Sequence, residues 1–505
     1  MANNRQHYNH DQNQNHTVTP NTNQLMKPSH DVVVVIVPLP AQGHINQLVH
    51  LSRLIAAYNI PVHVVGAAVH NRQGKLRVQG WDPNSIPNIH FHDFTIPPFH
   101  SPPPNPTSQH NFPSHLLPSF HATRHLRDPA AALLRRLSSQ TRRLAVIHDS
   151  LMASVVQDVV SIHNAESFTF HSVSAFAIFL FYCDGMAKTT SLLEMDDGVK
   201  FPNDIPSLEG CLNSEILDFI ASQYEFNKLN SGNLYNTSRV MERPYMNSLA
   251  RILPKKKHWA VGPFNPVSFM GNNTANDMTR HTCLKWLDRQ EPKSVIYVSF
   301  GTTTVFTDEQ IEELALGLEQ TNQKFIWVLR DADKGDVFDK TQEKKFELPK
   351  GYEERVREMG IVVREWAPQL EILGHASTGG FLSHCGWNSC VESITMGVPI
   401  AAWPMHSDQP RNAVLVTKLL GIGTVVRDWA HRGDVARADT VAIGVKKLMA
   451  SKEGDEMRKR AEELGGALRR SMAEGGASRR ELDCFIAHIS RQISMCRAQR
   501  DSCST

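Results

Sequence analysis

The stretch HCGWNSCVESITM (384–396) follows a strand-like GGFLS and crowds His384, Asn388 and Ser389 onto the start of a helix. Val391, Ile394 and Thr395 at helical spacing predict that helix, and Gly397 followed by Val398-Pro399 predicts its stop. A helix start offers unpaired backbone N–H groups and the positive end of the helix dipole, so it suits an anion. The three polar side chains add donors and Gly386 lets the backbone come close, which makes a diphosphate the natural ligand. The same residues equally suit ordinary capping by Asn388 or Ser389 beside a packed Trp387. The segment alone does not decide between the two.

A second loop, SFGTTT (299–304), joins a strand to a helix and brings Thr302 and Thr304 toward the same end of the same sheet. Neither loop is GxGxxG or GxxxxGK[ST], so the dinucleotide and P-loop fingerprints are both missing. Glu392 lies one turn past Asn388 and could accept hydrogen bonds from vicinal ribose hydroxyls, although its spacing also fits a solvated helix glutamate. Trp366 offers a flat face for a nucleobase, though a lone tryptophan is as readily core. In the first half of the chain, His44 in GHIN (43–46) opens a helix after a buried strand, and His148-Asp149 closes another strand. A histidine whose far ring nitrogen is held by an aspartate is a neutral general base near pH 7. The chain has 25 histidines, so a chance pairing carries equal weight. No GxSxG elbow and no HExxH or compact zinc set is present, so neither a serine triad nor a zinc site has a signature.

The elements that must position these residues follow from periodicity. VVVVIVP (32–38) reads as a fully buried parallel strand, and apolar residues at helical spacing follow it from Ile45. The alternation returns at 61–69, at 144–150 with a helical LMASVVQDVVSIH behind it, and at 167–173. A proline-rich FTIPPFHSPPPNP (94–106) interrupts it as a loop. Beyond a Gly, Pro and Asn-rich break at 262–278, strands are expected at 294–300, 324–330, 360–363, 379–383 and 398–403, with a helix at 307–321 opened by a Thr307/Gln310 capping box. The expected fold class is α/β, two doubly wound domains facing across a cleft, with ligands beyond the carboxyl ends of the strands. The expected division is a disordered tail (1–30), an N-terminal domain (31–265), a linker (266–282), a C-terminal domain (283–480), and a last helix and tail (481–505) packing back on the first domain.

Composition narrows the partners. The chain has 505 residues, with 53 Lys and Arg against 51 Asp and Glu, so no global basic field favours nucleic acid or an anionic membrane. The longest apolar runs are too short to span a bilayer, and the Asn, Gln and His-rich start lacks the apolar core of a signal peptide. The eight cysteines include no CxxC pair and suit reduced thiols in a cytoplasmic compartment. The glycosylation matches at Asn15, Asn236 and Asn272 read as chance.

From Trp366 to Gln409 the chain, WAPQLEILGHASTGGFLSHCGWNSCVESITMGVPIAAWPMHSDQ, resembles the signature of the plant UDP-sugar-dependent glycosyltransferases of secondary metabolism. PLPAQGHINQLVHLSRL, CLKWLDRQEPKSVIYVSFGT and GGASRRELDCFIAHI carry the resemblance over nearly all of the chain after the tail. Within the family, FHDFTIPPFHSPPPNP, FTFHSVSAF, VLRDADKGDVFD and WPMHSDQPRNAVLV most resemble zeatin O-glucosyltransferases and O-xylosyltransferases, including the cis-zeatin type. The resemblance implies a GT-B fold, with the C-terminal half holding the nucleotide sugar and the N-terminal half a small-molecule acceptor. It implies that Trp366 stacks on uracil, that Gln369 lies beside base and ribose, and that Glu392 binds the ribose hydroxyls. Thr302, His384, Asn388 and Ser389 would hold the diphosphate, while Trp387, Asp408 and Gln409 would contact the sugar. His44 matches the family's base and Asp149 its partner. The implied donor is UDP-glucose, or UDP-xylose, with no metal, and the implied acceptor is the side-chain hydroxyl of zeatin, with a phenolic or flavonoid as competitor. The expected protein is a cytoplasmic monomer. Two other classes stand against this reading. A non-catalytic UDP-sugar or hormone binder would not need His44 and Asp149, and a nicotinamide oxidoreductase would need the missing GxGxxG.

Overall fold

Two β-branched runs seed two separate sheets. In the computed structural model, residues 30–107, 112–185, 205–266, 280–339 and 347–491 are described. The N-terminal tail, most of the expected linker, the matches at Asn15 and Asn272, and the last residues with Cys496 and Cys503 lie outside them.

The first sheet holds β1 (His30–Val37), β2 (Val62–Ala67), β3 (Ile89–Phe94), β4 (Thr141–Asp149), β5 (Ala165–His171), β6 (Gly232–Tyr235) and β7 (Lys257–Ala260) in the order β3-β2-β1-β4-β5-β6-β7. The second holds β8 (Val295–Ser299), β9 (Lys324–Val328), β10 (Gly360–Val363), β11 (Thr378–Ser383), β12 (Ile400–Ala402) and β13 (Gly423–Val425) in the order β10-β9-β8-β11-β12-β13. All neighbours pair in parallel. The strand order reverses between β1 and β4 in one sheet and between β8 and β11 in the other, and such switch points open crevices at the strand ends.

Period-2 alternation between two buried faces explains why β1 is apolar from Val32 to Val37. Val33, Val35 and Val37 join one core with Leu133 and Leu144, while Val32, Val34 and Ile36 join the core on the other face with Leu48, Leu51 and Ile55. Full burial of each such side chain stabilises the fold by about 1.5–3 kcal/mol. Leu482, Phe485 and Ile489 of the helix Ala477–Ser490 fill the second of these cores, so the last described helix packs on the first sheet.

Some local expectations change. The helical segment expected after β4 is present, and its type is 3₁₀, Ala153–Ser161. Its buried Val156 and Val159 lie three apart, which suits three residues per turn. The capping box before Asp308–Thr321 is half formed. Thr307 accepts the Gln310 N–H, but the Gln310 side chain bonds the Ala436 backbone instead of turning back. Strands β3, β6, β7 and β13 were not expected. They are short, and β3 alternates histidines with Phe91 and Asp93.

Candidate active site

Register brings the first pair together. Val37 of β1 lies beside His148 of β4, so the loop leaving β1 meets the end of β4. His44 is the third residue of the helix Gln42–Ala56, and its Nδ1 stands 2.7 Å from Asp149 Oδ2 and 2.8 Å from Ser172 Oγ. Asp149 is fully buried, and its other oxygen accepts the Leu151 N–H at 3.0 Å. An ionised carboxylate can only accept, so Nδ1 carries the proton and the lone pair stays on Nε2. Burial disfavours charge on the ring, but the charge and hydrogen bond of Asp149, with the charge of Asp408, outweigh it and hold the His44 pKa above the ordinary histidine value. His148 points to the opposite face of β4 and bonds the Asp149 carbonyl at 2.9 Å. Burial lowers its pKa to about 4, so it is not a base.

The second lobe repeats the arrangement with other chemistry. Ser299 of β8 is in register with Ser383 of β11, which sets the loop of Thr302 beside His384. The helix Trp387–Met396 begins after Gly386, and no side chain caps it. Asn388 and Ser389 therefore do not act as caps, and the first-turn N–H groups are left to a ligand. The His384 ring is wedged between the two loops: a Cβ added at Gly301 or at Gly386 would come within 2.5 Å of its Nε2. Gly301 also has φ +75, where glycine is favoured. Burial pushes the His384 pKa down to about 4, and its Nδ1 has no partner among the described residues. Thr302 and Thr303 line the cavity, and Thr304 does not.

A polar network surrounds Glu392. Asn388 donates to its Oε1 at 3.1 Å, and Gln369 donates to its Oε2 at 2.7 Å and to Ser389 Oγ at 3.0 Å. Burial raises the Glu392 pKa to about 7, against the Gln369 hydrogen bond. The Trp366 ring carries the guanidinium groups of Arg77 and Arg330 at 4.8 and 5.7 Å from its centroid. Trp387 donates its indole N–H across the lobes to the Asn236 carbonyl at 2.9 Å, and Asn236 is itself buried, which closes that glycosylation match. Gln409 accepts the N–H groups of Met405 and His406 at 2.9 and 3.0 Å. Burial raises the Asp408 pKa, opposed by the Asn412 amide at 2.7 Å.

One cavity of about 690 Å³ gathers His44, Thr302, Trp366, Gln369, His384, Trp387, Asn388, Ser389, Glu392, Asp408 and Gln409, with Asp149 directly behind His44. Its far wall is apolar, with Phe112, Leu116, Phe120, Ile178 and Phe181 among the lining. The arrangement suits a charged, hydroxyl-bearing ligand in the second lobe and a flat, largely apolar one in the first. The residue types and spacing gave no role to Ser172, Arg77 or Arg330. Ser172 sits just past the end of β5, next to β4, and that position is the signal that could have marked it. Among the described residues no helix is long and apolar enough to cross a membrane, and no group of three or more His, Cys, Asp or Glu could hold a metal ion.

Comparison with known proteins agrees with this architecture. Residues 30–266 match the family model "Glycosyltransferase, N-terminal domain", and residues 212–443 match "UDP-glucoronosyl and UDP-glucosyl transferase". A zeatin O-glucosyltransferase of Phaseolus lunatus is 58% identical over 91% of this chain and 97% of its own length. A zeatin O-xylosyltransferase of Phaseolus vulgaris is 55% identical over 91% and 98%. Among solved structures, UGT2 of Phytolacca americana, complexed with UDP-2fluoro-glucose and pterostilbene, aligns with a TM-score of 0.70 at 25% identity, covering 91% of this chain and 100% of that one. A UGT transferase of Siraitia grosvenorii in complex with UDP aligns with a TM-score of 0.69 at 28% identity, covering 91% and 100%. Likeness of this extent, on two facing doubly wound lobes, places the chain in the UDP-glycosyltransferase family as an enzyme of the GT-B fold.

Proposed function

We propose that this enzyme moves glucose or xylose from a UDP-sugar to the side-chain hydroxyl of zeatin, with inversion at the anomeric carbon. The reading rests most on one observation: the His44–Asp149 pair and the uncapped start of Trp387–Met396 open onto the same cavity. His44 Nε2 takes the proton of the acceptor hydroxyl. The oxygen then forms its bond to the anomeric carbon on the side opposite the breaking bond to the diphosphate, through an oxocarbenium-like state. Charge growing on the departing UDP meets the helix-start N–H groups, Thr302, neutral His384 and Ser389, donors already in place. In this reading they stand where a cation would otherwise be needed. Glu392 and Gln369 hold the ribose, Trp366 faces uracil, and Trp387, Asp408 and Gln409 meet the sugar. Asn388 acts through Glu392 as well as through its own N–H at the diphosphate. An alkyl alcohol is a poor nucleophile, so positioning by the apolar wall contributes heavily.

The two bean relatives support the acceptor more than the donor. They are named for glucosyl and xylosyl transfer to the same compound at 58% and 55% identity, too close to separate the sugars. We place the enzyme in the cytoplasm, acting as a monomer on a small molecule. The test gives the purified protein UDP-glucose and UDP-xylose separately with trans-zeatin, cis-zeatin, simple phenols and flavonols, and reads products by mass spectrometry. Transfer to a zeatin is the expected result and fixes the donor. Transfer to phenolics alone would keep the mechanism and discard the acceptor, and UDP binding without any transfer would make the protein a binder.

A further inference from the structure

The segment RDADKGDVFD (330–339) leaves β9 in the second lobe and lies against the first. Asp333 is its centre. The Asp333 N–H donates to the Thr302 carbonyl at 2.6 Å, and the Asp333 carbonyl accepts from His115 Nε2 at 2.9 Å. Thr302 lies on the loop assigned to the diphosphate, and buried His115 stands in the segment whose Phe112, Pro113 and Leu116 line the apolar wall of the cavity. One residue therefore touches the donor loop with its N–H and the acceptor wall with its carbonyl.

Its side chain ties the lobes. Asp333 is 7% exposed and makes two bonds to Arg77, at 2.6 and 3.1 Å, and one to Arg330 at 2.5 Å. Both guanidinium groups lie over Trp366. Two steps on, the Gly335 N–H donates to Ser101 Oγ at 3.0 Å and its carbonyl accepts from His70 at 3.0 Å. A Cβ at Gly335 would stand 2.6 Å from Ser101 Oγ and 2.8 Å from Phe99 and Ser119, so the strap is seated too closely for any side chain there. Phe338 completes the contact under Arg72, 4.1 Å from its guanidinium.

We propose that residues 331–338 are a strap that sets the donor loop and the acceptor wall in register, with Asp333 as its positioning residue and Arg77 as its anchor in the first lobe. Resting on the site reading above, it makes binding at the two ends of the cavity interdependent. A buried carboxylate held by two guanidinium groups fixes geometry because losing one partner leaves charge uncompensated.

The test compares wild type with Arg77→Ala, Asp333→Ala and Gly335→Val, each checked for folding by circular dichroism. KM for UDP-glucose and for trans-zeatin, kcat, and the affinity for UDP with and without trans-zeatin are measured. Both KM values are expected to rise together in every folded variant, by about tenfold for a coupling of ordinary size. The effect of trans-zeatin on UDP affinity is expected to vanish, while the acid limb of the pH profile stays with His44. Gly335→Val is expected to do this with every charge intact, and Arg77→Ala serves if Asp333→Ala does not fold. Wild-type values of both KM in folded variants, or a change in only one, would overturn the strap and leave the site reading standing. A wild-type protein that neither binds UDP nor transfers sugar would remove both.

Discussion

The two lobes share a strand order and each sets a histidine beyond the carboxyl end of a strand at its switch point, yet the two rings have opposite characters. His44 has a buried carboxylate 2.7 Å from Nδ1, and its pKa is raised. His384 has no carboxylate, is wedged against two glycine backbones, and burial takes its pKa to about 4. What differs is the residue supplied by the neighbouring strand or loop: β4 ends in Asp149, while β8 runs into Gly301 and Thr302. In the proposed reading, the same crevice therefore makes a proton acceptor when the neighbour is an acid, and a neutral donor lining an anion site when it is a tight turn. Partner, not position, assigns the role.

The sharpest break of this comparison is His44→Ala. Loss of the general base is expected to lower kcat by about 10²–10⁴-fold while leaving UDP affinity, measured by calorimetry, close to wild type. Parallel loss of both would mean that His44 holds the fold of the crevice. Asp149→Asn is expected to approach the same loss, because an amide fixes neither the tautomer nor the charge.

The pH profile sharpens the point. A base works deprotonated, so kcat/KM is expected to fall as pH drops through the His44 pKa, with that limb above 6.5 because Asp149 raises it. In Asp149→Asn the limb is expected to move to lower pH. Stability runs the other way: the pair's contribution is complete below the unfolded pKa near 6.5 and is lost as pH rises through the folded value. A limb that stays in place in Asp149→Asn would show that the acid does not set the character of the ring.

In the second crevice the matching acid is Glu392, which bonds Gln369 and Asn388 and not the histidine, and which the proposed reading gives to the ribose. Glu392→Ala is expected to weaken UDP binding by about 10–100-fold, for hydrogen bonds to a charged group of about 1.5–3 kcal/mol, with a smaller loss of kcat at saturating donor. Burial raises its pKa to about 7, so wild-type UDP affinity is expected to weaken as pH falls below that value, and Glu392→Gln is expected to lose this component. Unchanged affinity in Glu392→Ala would remove the ribose assignment.

How much of this was legible beforehand follows from what sequence encodes locally. The long strands were legible because β1 is buried on both faces from Val32 to Val37 and so is apolar at each of those positions. His44, His384 and Glu392 were legible as candidates because strand ends and helix starts are local features, and the family resemblance, through the signature at 366–409 for His384 and Glu392 and through PLPAQGHINQ for His44, added the roles proposed for them. Strands such as GNLY and KHWA, four residues each, are too short to show a period and exist because β5 pairs with one and that one with the other. The Arg77–Asp333 pair joins residues 256 apart, and Ser172 lies 128 from His44, so no local pattern announces either.

Ser172 supplies the smallest and most discriminating test. Its Oγ lies 2.8 Å from the same Nδ1 that Asp149 engages, and a single N–H cannot give two full hydrogen bonds. The hydroxyl, an acceptor without charge, takes a share of that proton and steadies the ring. Losing a neutral hydrogen bond costs about 0.5–1.5 kcal/mol, so Ser172→Ala is expected to lower kcat about 2- to 10-fold. The acid limb is expected to move slightly down, because the imidazolium loses one acceptor. Steady-state kinetics over pH on Ser172→Ala and Asp149→Asn side by side separates charge from geometry. If the two fall equally, orientation alone makes His44 a base, and the contrast with His384 rests on packing; if serine costs little and aspartate much, the buried charge of Asp149 divides the two crevices.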